Sequence, residues 1–155
     1  MYGLGRATAS SVPKVFSKAN PISGNWTVEA TAQGTLALIR GCFIEWGTTA
    51  AWWMFSGTTS ISKWTIGSTF TDTVTGALGA TIVTVAQGVV GADGNLYMFY
   101  NNRVAKVSVA GVVTDNVLTA LPADMRITSA ARYGTYLAIG MAYGTSATAT
   151  PSGPS

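Results

Sequence analysis

Few residues in this chain of 155 are of types that do chemistry. The acids are Glu29, Glu45, Asp72, Asp93, Asp115 and Asp124. There is a single cysteine, Cys42, and no histidine. Lack of histidine excludes Ser-His-Asp and Cys-His nucleophilic mechanisms, and zinc sites built from cysteine and histidine. A glycosidase needs two carboxylates about 5 to 9.5 Å apart across the bond, and no local pattern brings two acids together. Asp93-Gly94-Asn95 has the beginning of a calcium loop but lacks its further oxygen ligands and closing Glu. It reads instead as a hairpin turn, where Asp and Gly tolerate positive φ. No Gly-rich loop followed by Lys-Ser or Lys-Thr is present for a phosphate. Cys42, in the apolar run Ile39 to Trp46, reads as a buried small hydrophobe. No catalytic residue, metal ligand or cofactor is therefore assigned, and a non-enzymatic role is expected.

The aromatics are the one constellation left. Trp46, Trp52, Trp53 and Trp64 fall close together, with Phe43 and Phe55 among them. Neighbours along a strand point to opposite faces, so Trp52 and Trp53 must diverge. Either both faces are covered, which is the favoured reading, or one ring is exposed as an anchor for a partner. These four tryptophans are the candidate contact residues, for another subunit ahead of a sugar ring.

The elements holding them read as strands. From Trp26 onward, short β-branched and aromatic runs alternate with Gly, Asn, Asp and Thr turns. A helical period is absent apart from one turn near Ala120 to Met125. With 48% hydrophobic and 10% charged residues, the chain is neither a disordered tail nor a coiled coil. Nine basic and six acidic residues give a net charge of +3. The bases are scattered from Arg6 to Arg132, so no patch neutralises successive phosphates and no nucleic-acid partner is expected. Thr73 to Ala92 is uncharged, but its four Gly, four Thr and Gln87 predict two strands with a turn between them, not a membrane span. So few charges protect a surface poorly against association, and contacts with other chains are expected.

The chain also repeats itself. Ala51-Trp-Trp-Met-Phe55 matches Asn95-Leu-Tyr-Met-Phe99 at an offset of 44. Each match is flanked by turns and followed by a strand with a lysine, so Lys63 corresponds to Lys106. A third copy begins at Ile127 to Tyr133. The first strands of the three units are predicted at Leu36–Glu45, Ile82–Gly91 and Ile127–Tyr133. A four-stranded unit of 40 to 46 residues is the blade period of a β-propeller, in which stacking covers faces that one twisted blade leaves bare.

Asp93-Gly94-Asn95-Leu96-Tyr97 and Val104-Ala105-Lys106-Val107 resemble propeller repeats of virion and tail proteins of tailed bacteriophages, and of secreted binding proteins. The resemblance spans residues 36–144. It implies an all-β fold of propeller-like antiparallel blades, with a β-sandwich or barrel of the tail-tube or head-decoration type as the alternative. It implies a structural component of the virion, in the tail, neck or an attached fibre, assembling with other virion subunits or with its own copies. The alternative from another class is a carbohydrate-binding receptor-recognition module of a phage tail or adhesin, using the Trp46–Trp64 cluster on a host surface glycan. A second alternative is a polysaccharide-degrading tail enzyme whose catalytic part lies beyond residue 155.

Three segments follow from this reading. Residues 1–24 are expected to be an extended docking arm, with Tyr2, Arg6, Lys14, Phe16 and Lys18 as its contacts. Residues 25–144 form the all-β domain, and residues 145–155 a loop or linker. Two units and the start of a third fall short of the four to eight blades of a closed ring. Closure is expected from further chain or from neighbouring molecules.

Overall fold

The computed structural model describes residues 2–5, 14–17, 22–31, 41–47, 50–55, 57, 59–65, 73–118 and 121–144. Thirteen strands and no helix occur among them. Among the described residues the fold is all-β and antiparallel, and no helix is long and apolar enough to cross a membrane.

The first sheet joins β1 (Tyr2–Gly5), β2 (Lys14–Ser17) and β3 (Thr27–Thr31) in that order. This changes the picture of the N-terminal arm. Its described parts form a hairpin, with Tyr2 opposite Ser17, and β2 continues onto β3. Tyr2, Lys14 and Phe16 therefore lie in a sheet that crosses the expected boundary at residue 24. Arg6 and Lys18 lie outside the described residues, as does the expected linker 145–155.

Next come two four-stranded meanders. One is β4 (Gly41–Glu45), β5 (Ala50–Phe55), β6 (Ser60–Thr65) and β7 (Thr73–Ala77). The other is β8 (Val85–Val90), β9 (Leu96–Tyr100), β10 (Arg103–Val107) and β11 (Val113–Thr114). Thr73 to Ala92 does hold two strands, but they are not partners: β7 ends one sheet and β8 starts the next. A third unit has only β12 (Met125–Tyr133) and β13 (Tyr136–Tyr143) among the described residues. At the expected helical turn, the Met125 N–H, where β12 starts, donates to the Pro122 carbonyl, and the described residues there hold no helix.

The three units stack in one direction. Gly57, in the turn between β5 and β6, donates its N–H to the Ile82 carbonyl just ahead of β8. Ile127 of β12 donates to the carbonyl of Asn101, in the turn between β9 and β10. Within each meander that turn lies at the end where the first strand starts. Hence β4, β8 and β12 run the same way, and each packs against the next.

Among the described residues, two cores lie between the units. Trp52, Met54 and Ile61 of the first meet Leu96, Met98, Tyr100, Ala105 and Val107 of the second, with Leu78 and Ile82 from the connection. Val89, Phe99 and Val104 of the second meet Ile127 and Ala130 of the third. The strands β5 and β9 thus alternate between forward-facing and backward-facing side chains, and both sets are buried.

This order corrects the sequence alignment of the repeats by one residue. Met54 and Met98 match in sequence, yet they enter the same core from opposite sides. By position in the stack, Trp52 and Met54 correspond to Tyr97 and Phe99, which look toward the following unit. The pairing agrees: Trp52 lies opposite Lys63, and Tyr97 opposite Lys106. A register irregularity also recurs, between Val85 and Gly88 in β8 and between Ile127 and Ser129 in β12. The described sheets stack but do not close into a ring.

Candidate functional site

The structure keeps Trp46 and Trp52 together and separates Trp53 from them onto the other face of the sheet. Trp52 and Trp53 are each 2% exposed. Trp52 enters the core between the first two units, where the half-buried Trp46 meets it at 5.7 Å between ring centroids, tilted by 56°. The ammonium of Lys63 stands 5.3 Å from the Trp52 centroid, a cation–π arrangement made by direct cross-strand pairing. Trp53 is buried on the other face of the same sheet, so both faces are covered at this point. Trp64 lies in β6 opposite Ala51. Rings buried as deeply as Trp52 and Trp53 present no face to a sugar.

The second meander carries a polar hub that sequence reasoning missed. The Asp115 carboxylate accepts from the Tyr100 hydroxyl at 2.6 Å and from the Gly79 N–H at 2.8 Å. Its third donor is the Arg103 guanidinium at 3.1 Å. Gly79 belongs to the connection from the first unit, so this carboxylate ties the connection to the outer part of the second sheet. Burial, then the hydrogen bond and charge of Asp115, push the Tyr100 hydroxyl well above its usual pKa, against a smaller opposing effect of Arg103. Tyr100 thus donates to Asp115 as a neutral hydroxyl at neutral pH.

Asn101 is the second hub. It sits in the turn after β9 with φ of 49°, a left-handed conformation that asparagine tolerates better than most residues. Its Oδ1 accepts the N–H groups of Val83 and Thr84, at 2.8 and 3.0 Å. Its Nδ2 donates to the Thr81 carbonyl at 2.9 Å. Its own carbonyl accepts from Ile127 of the third unit. One turn residue thus organises the strand before it, the connection beside it and the unit after it. An open pocket of about 190 Å³ lies next to this turn, lined by Val83, Asn101, Asn102, Ala123, Met125 and Arg126.

At the opposite end of the meander, Asp93-Gly94-Asn95 forms the expected hairpin turn, with Gly94 at φ of 77°. The Asp93 carboxylate accepts from the Asn95 amide at 2.6 Å and from the Tyr97 hydroxyl at 2.8 Å. These bonds, Asn95 first, hold its carboxyl below the ordinary carboxylate range. Asp93 and Asp115 are thus each engaged by donors from their own surroundings, and what they do chemically is fix backbone.

No known family, curated protein or solved structure matches this chain. Among the described residues no three His, Cys, Asp or Glu side chains gather as a metal site would require.

Exposed aromatics among the described residues are Trp26, just ahead of β3, and three tyrosines of the third unit, also missed at the sequence level. Tyr133 and Tyr136 flank the two-residue turn Gly134-Thr135 and are cross-strand partners, 78% and 73% exposed. Tyr143, at the far end of β13, is 51% exposed. The signal available was the Tyr-Gly-Thr-Tyr sequence, two aromatics bracketing a tight turn.

Proposed function

We propose that this chain is a non-enzymatic structural component of a tailed-bacteriophage virion, built of β-propeller-like units and assembling through contacts between subunits. The observation that supports this most is the one-way stacking of the three units. Each sheet covers the forward face of the one before it, and the third unit presents only two strands among the described residues. Such a stack is completed by more of the same architecture, from the same chain or from a neighbour. The low charge of the sequence accords with a surface that meets other proteins. The phage assignment draws on the resemblance of Asp93–Tyr97 and Val104–Val107 to virion propeller repeats. The glycan-binding reading that relied on the tryptophans has less support, since Trp52 and Trp53 are core residues.

Immunogold labelling of phage particles produced from a genome encoding the chain tests the proposal. Gold at the tail, neck or fibre is expected. Clean particles, with the chain confined to the unassembled fraction, overturn it.

A further inference from the structure

The open pocket beside the Asn101 turn lies where the second unit meets the third. Val83 comes from the connection ahead of β8, Asn101 and Asn102 from the turn between β9 and β10, and Ala123, Met125 and Arg126 from the start of β12 and the residues before it. The walls are tied to one another. Asn101 Oδ1 holds the Val83 N–H at 2.8 Å. The Asn102 side-chain amide and the Met125 N–H both donate to the Pro122 carbonyl, each at 3.3 Å. Behind them the Asn101 carbonyl accepts from Ile127 at 2.7 Å. A cavity whose lining is fixed before a ligand arrives loses little order on binding.

The lining divides by chemistry. Val83, Ala123 and Met125 offer apolar surface, and the Val83 side chain is 46% exposed although its backbone is pinned. Arg126 and Asn102, both half-buried, supply a cation and an amide. Among the described residues no acid lines the pocket. Asp115 is engaged by Tyr100, Gly79 and Arg103, and Asp124, next to Met125 in sequence, is not part of the wall. The volume of about 190 Å³ is below the roughly 300–1,000 Å³ of sites for drug-sized ligands, so the occupant is a small group.

We propose that this pocket binds a carboxylate carried on a short aliphatic stem, either a free short-chain acid or the C-terminus of a polypeptide. The carboxylate meets the Arg126 guanidinium, whose planar fork matches two carboxylate oxygens, and the Asn102 amide. A guanidinium has five N–H donors, so a bond within the protein leaves others for a ligand. The stem lies against Val83, Ala123 and Met125. An inorganic anion lacks the stem and leaves that apolar wall wet, and a neutral ligand leaves the cation unused. The site goes beyond the assembly reading above and does not depend on it.

The experiment is a nuclear magnetic resonance titration of the isotopically labelled chain with sodium butyrate, with butylammonium chloride at equal ionic strength as the control. Saturable shifts are expected at the amides of Val83, Asn102, Met125 and Arg126, with a dissociation constant on the order of 1 mM for a ligand this small. Arg126→Gln should weaken binding about tenfold, the loss of one charge-assisted bond. Val83→Asp, at an exposed position, should abolish it by setting a like charge at the mouth. A tetrapeptide ending in valine, with a free or an amidated terminus, distinguishes the sources. Binding of the free form alone points to a polypeptide terminus, and binding of butyrate but neither peptide points to a free acid. Absence of saturable shifts at about 50 mM butyrate, well above the expected constant, overturns the proposal. So do equal shifts with butylammonium, or shifts confined to other parts of the chain. The wild-type titration decides the matter even if a variant misfolds.

Discussion

Ile44 of the first unit rests on Gly88 of the second, so closely that a methyl group added at Gly88 would stand 3.0 Å from Ile44 Cγ2 and 3.4 Å from Leu96 Cδ1. The first strands β4 and β8 approach each other at this place because one of them lacks a side chain. In the core between the second and third units, Ala130 of β12 packs in the same cluster as Val89 of β8.

Gly88→Val should therefore prise the first two units apart. Overpacking of this kind costs about 1–3 kcal/mol, and Gly88→Ala should cost less because a single methyl can be relieved by a small shift of Ile44. Thermal or urea unfolding checks both. Equal stability of Gly88→Val and wild type would mean that the first two units do not stack as described.

Asn101 should be intolerant of change for two separable reasons. Asn101→Ala removes acceptors for Val83 and Thr84, removes the donor to Thr81, and places a Cβ residue lacking those bonds at φ of 49°. Each orphaned backbone group costs about 1–3 kcal/mol, so the loss should be among the largest from any turn position. Asn101→Gly keeps the backbone conformation and loses only the bonds. Asn101→Asp keeps the acceptor and loses the donor. Denaturation midpoints should fall in the order wild type, Asp, Gly, Ala.

Tyr100 predicts a fall in stability at alkaline pH. An unfolded tyrosine ionises near pH 10, whereas Tyr100 in the fold holds its proton to a higher pH through burial and Asp115. The folded state thus binds a proton that the unfolded state releases. The stabilisation is complete below about pH 10 and is lost as pH rises from there toward the folded value. Tyr100→Phe should lower stability at neutral pH by about 1.5–3 kcal/mol, the worth of a hydrogen bond to a charged group, and should flatten the alkaline decline. Tyr97, whose hydroxyl is also raised, by burial and then by Asp93, leaves a residual slope. Unfolding curves recorded between pH 8 and 11 test the sign, and an unaltered slope in Tyr100→Phe would rule the linkage out.

Local chemistry was legible from the residues alone. Gly and Asp in Asp93-Gly94-Asn95 declare a turn, since few other residues accept its dihedrals. Short β-branched and aromatic runs declare strands, and the recurrence of Lys63 at Lys106 declares a repeat. The tertiary structure decided what depends on partners distant in sequence. Strands buried on both faces show no alternation of polar and apolar residues, so the sequence carries no mark of which face is which. That is why Met54 seemed to match Met98 when the two face each other. Tyr100 and Asp115 are fifteen residues apart and Gly79 lies thirty-six before Asp115. Nothing local links them, and only the crossing of the connection over the second sheet brings the three together. The N-terminal segment shows the same limit: Tyr2 and Phe16 read as an arm because the strand that pairs with β2, Thr27–Thr31, lies beyond the turn at which the segment seemed to end.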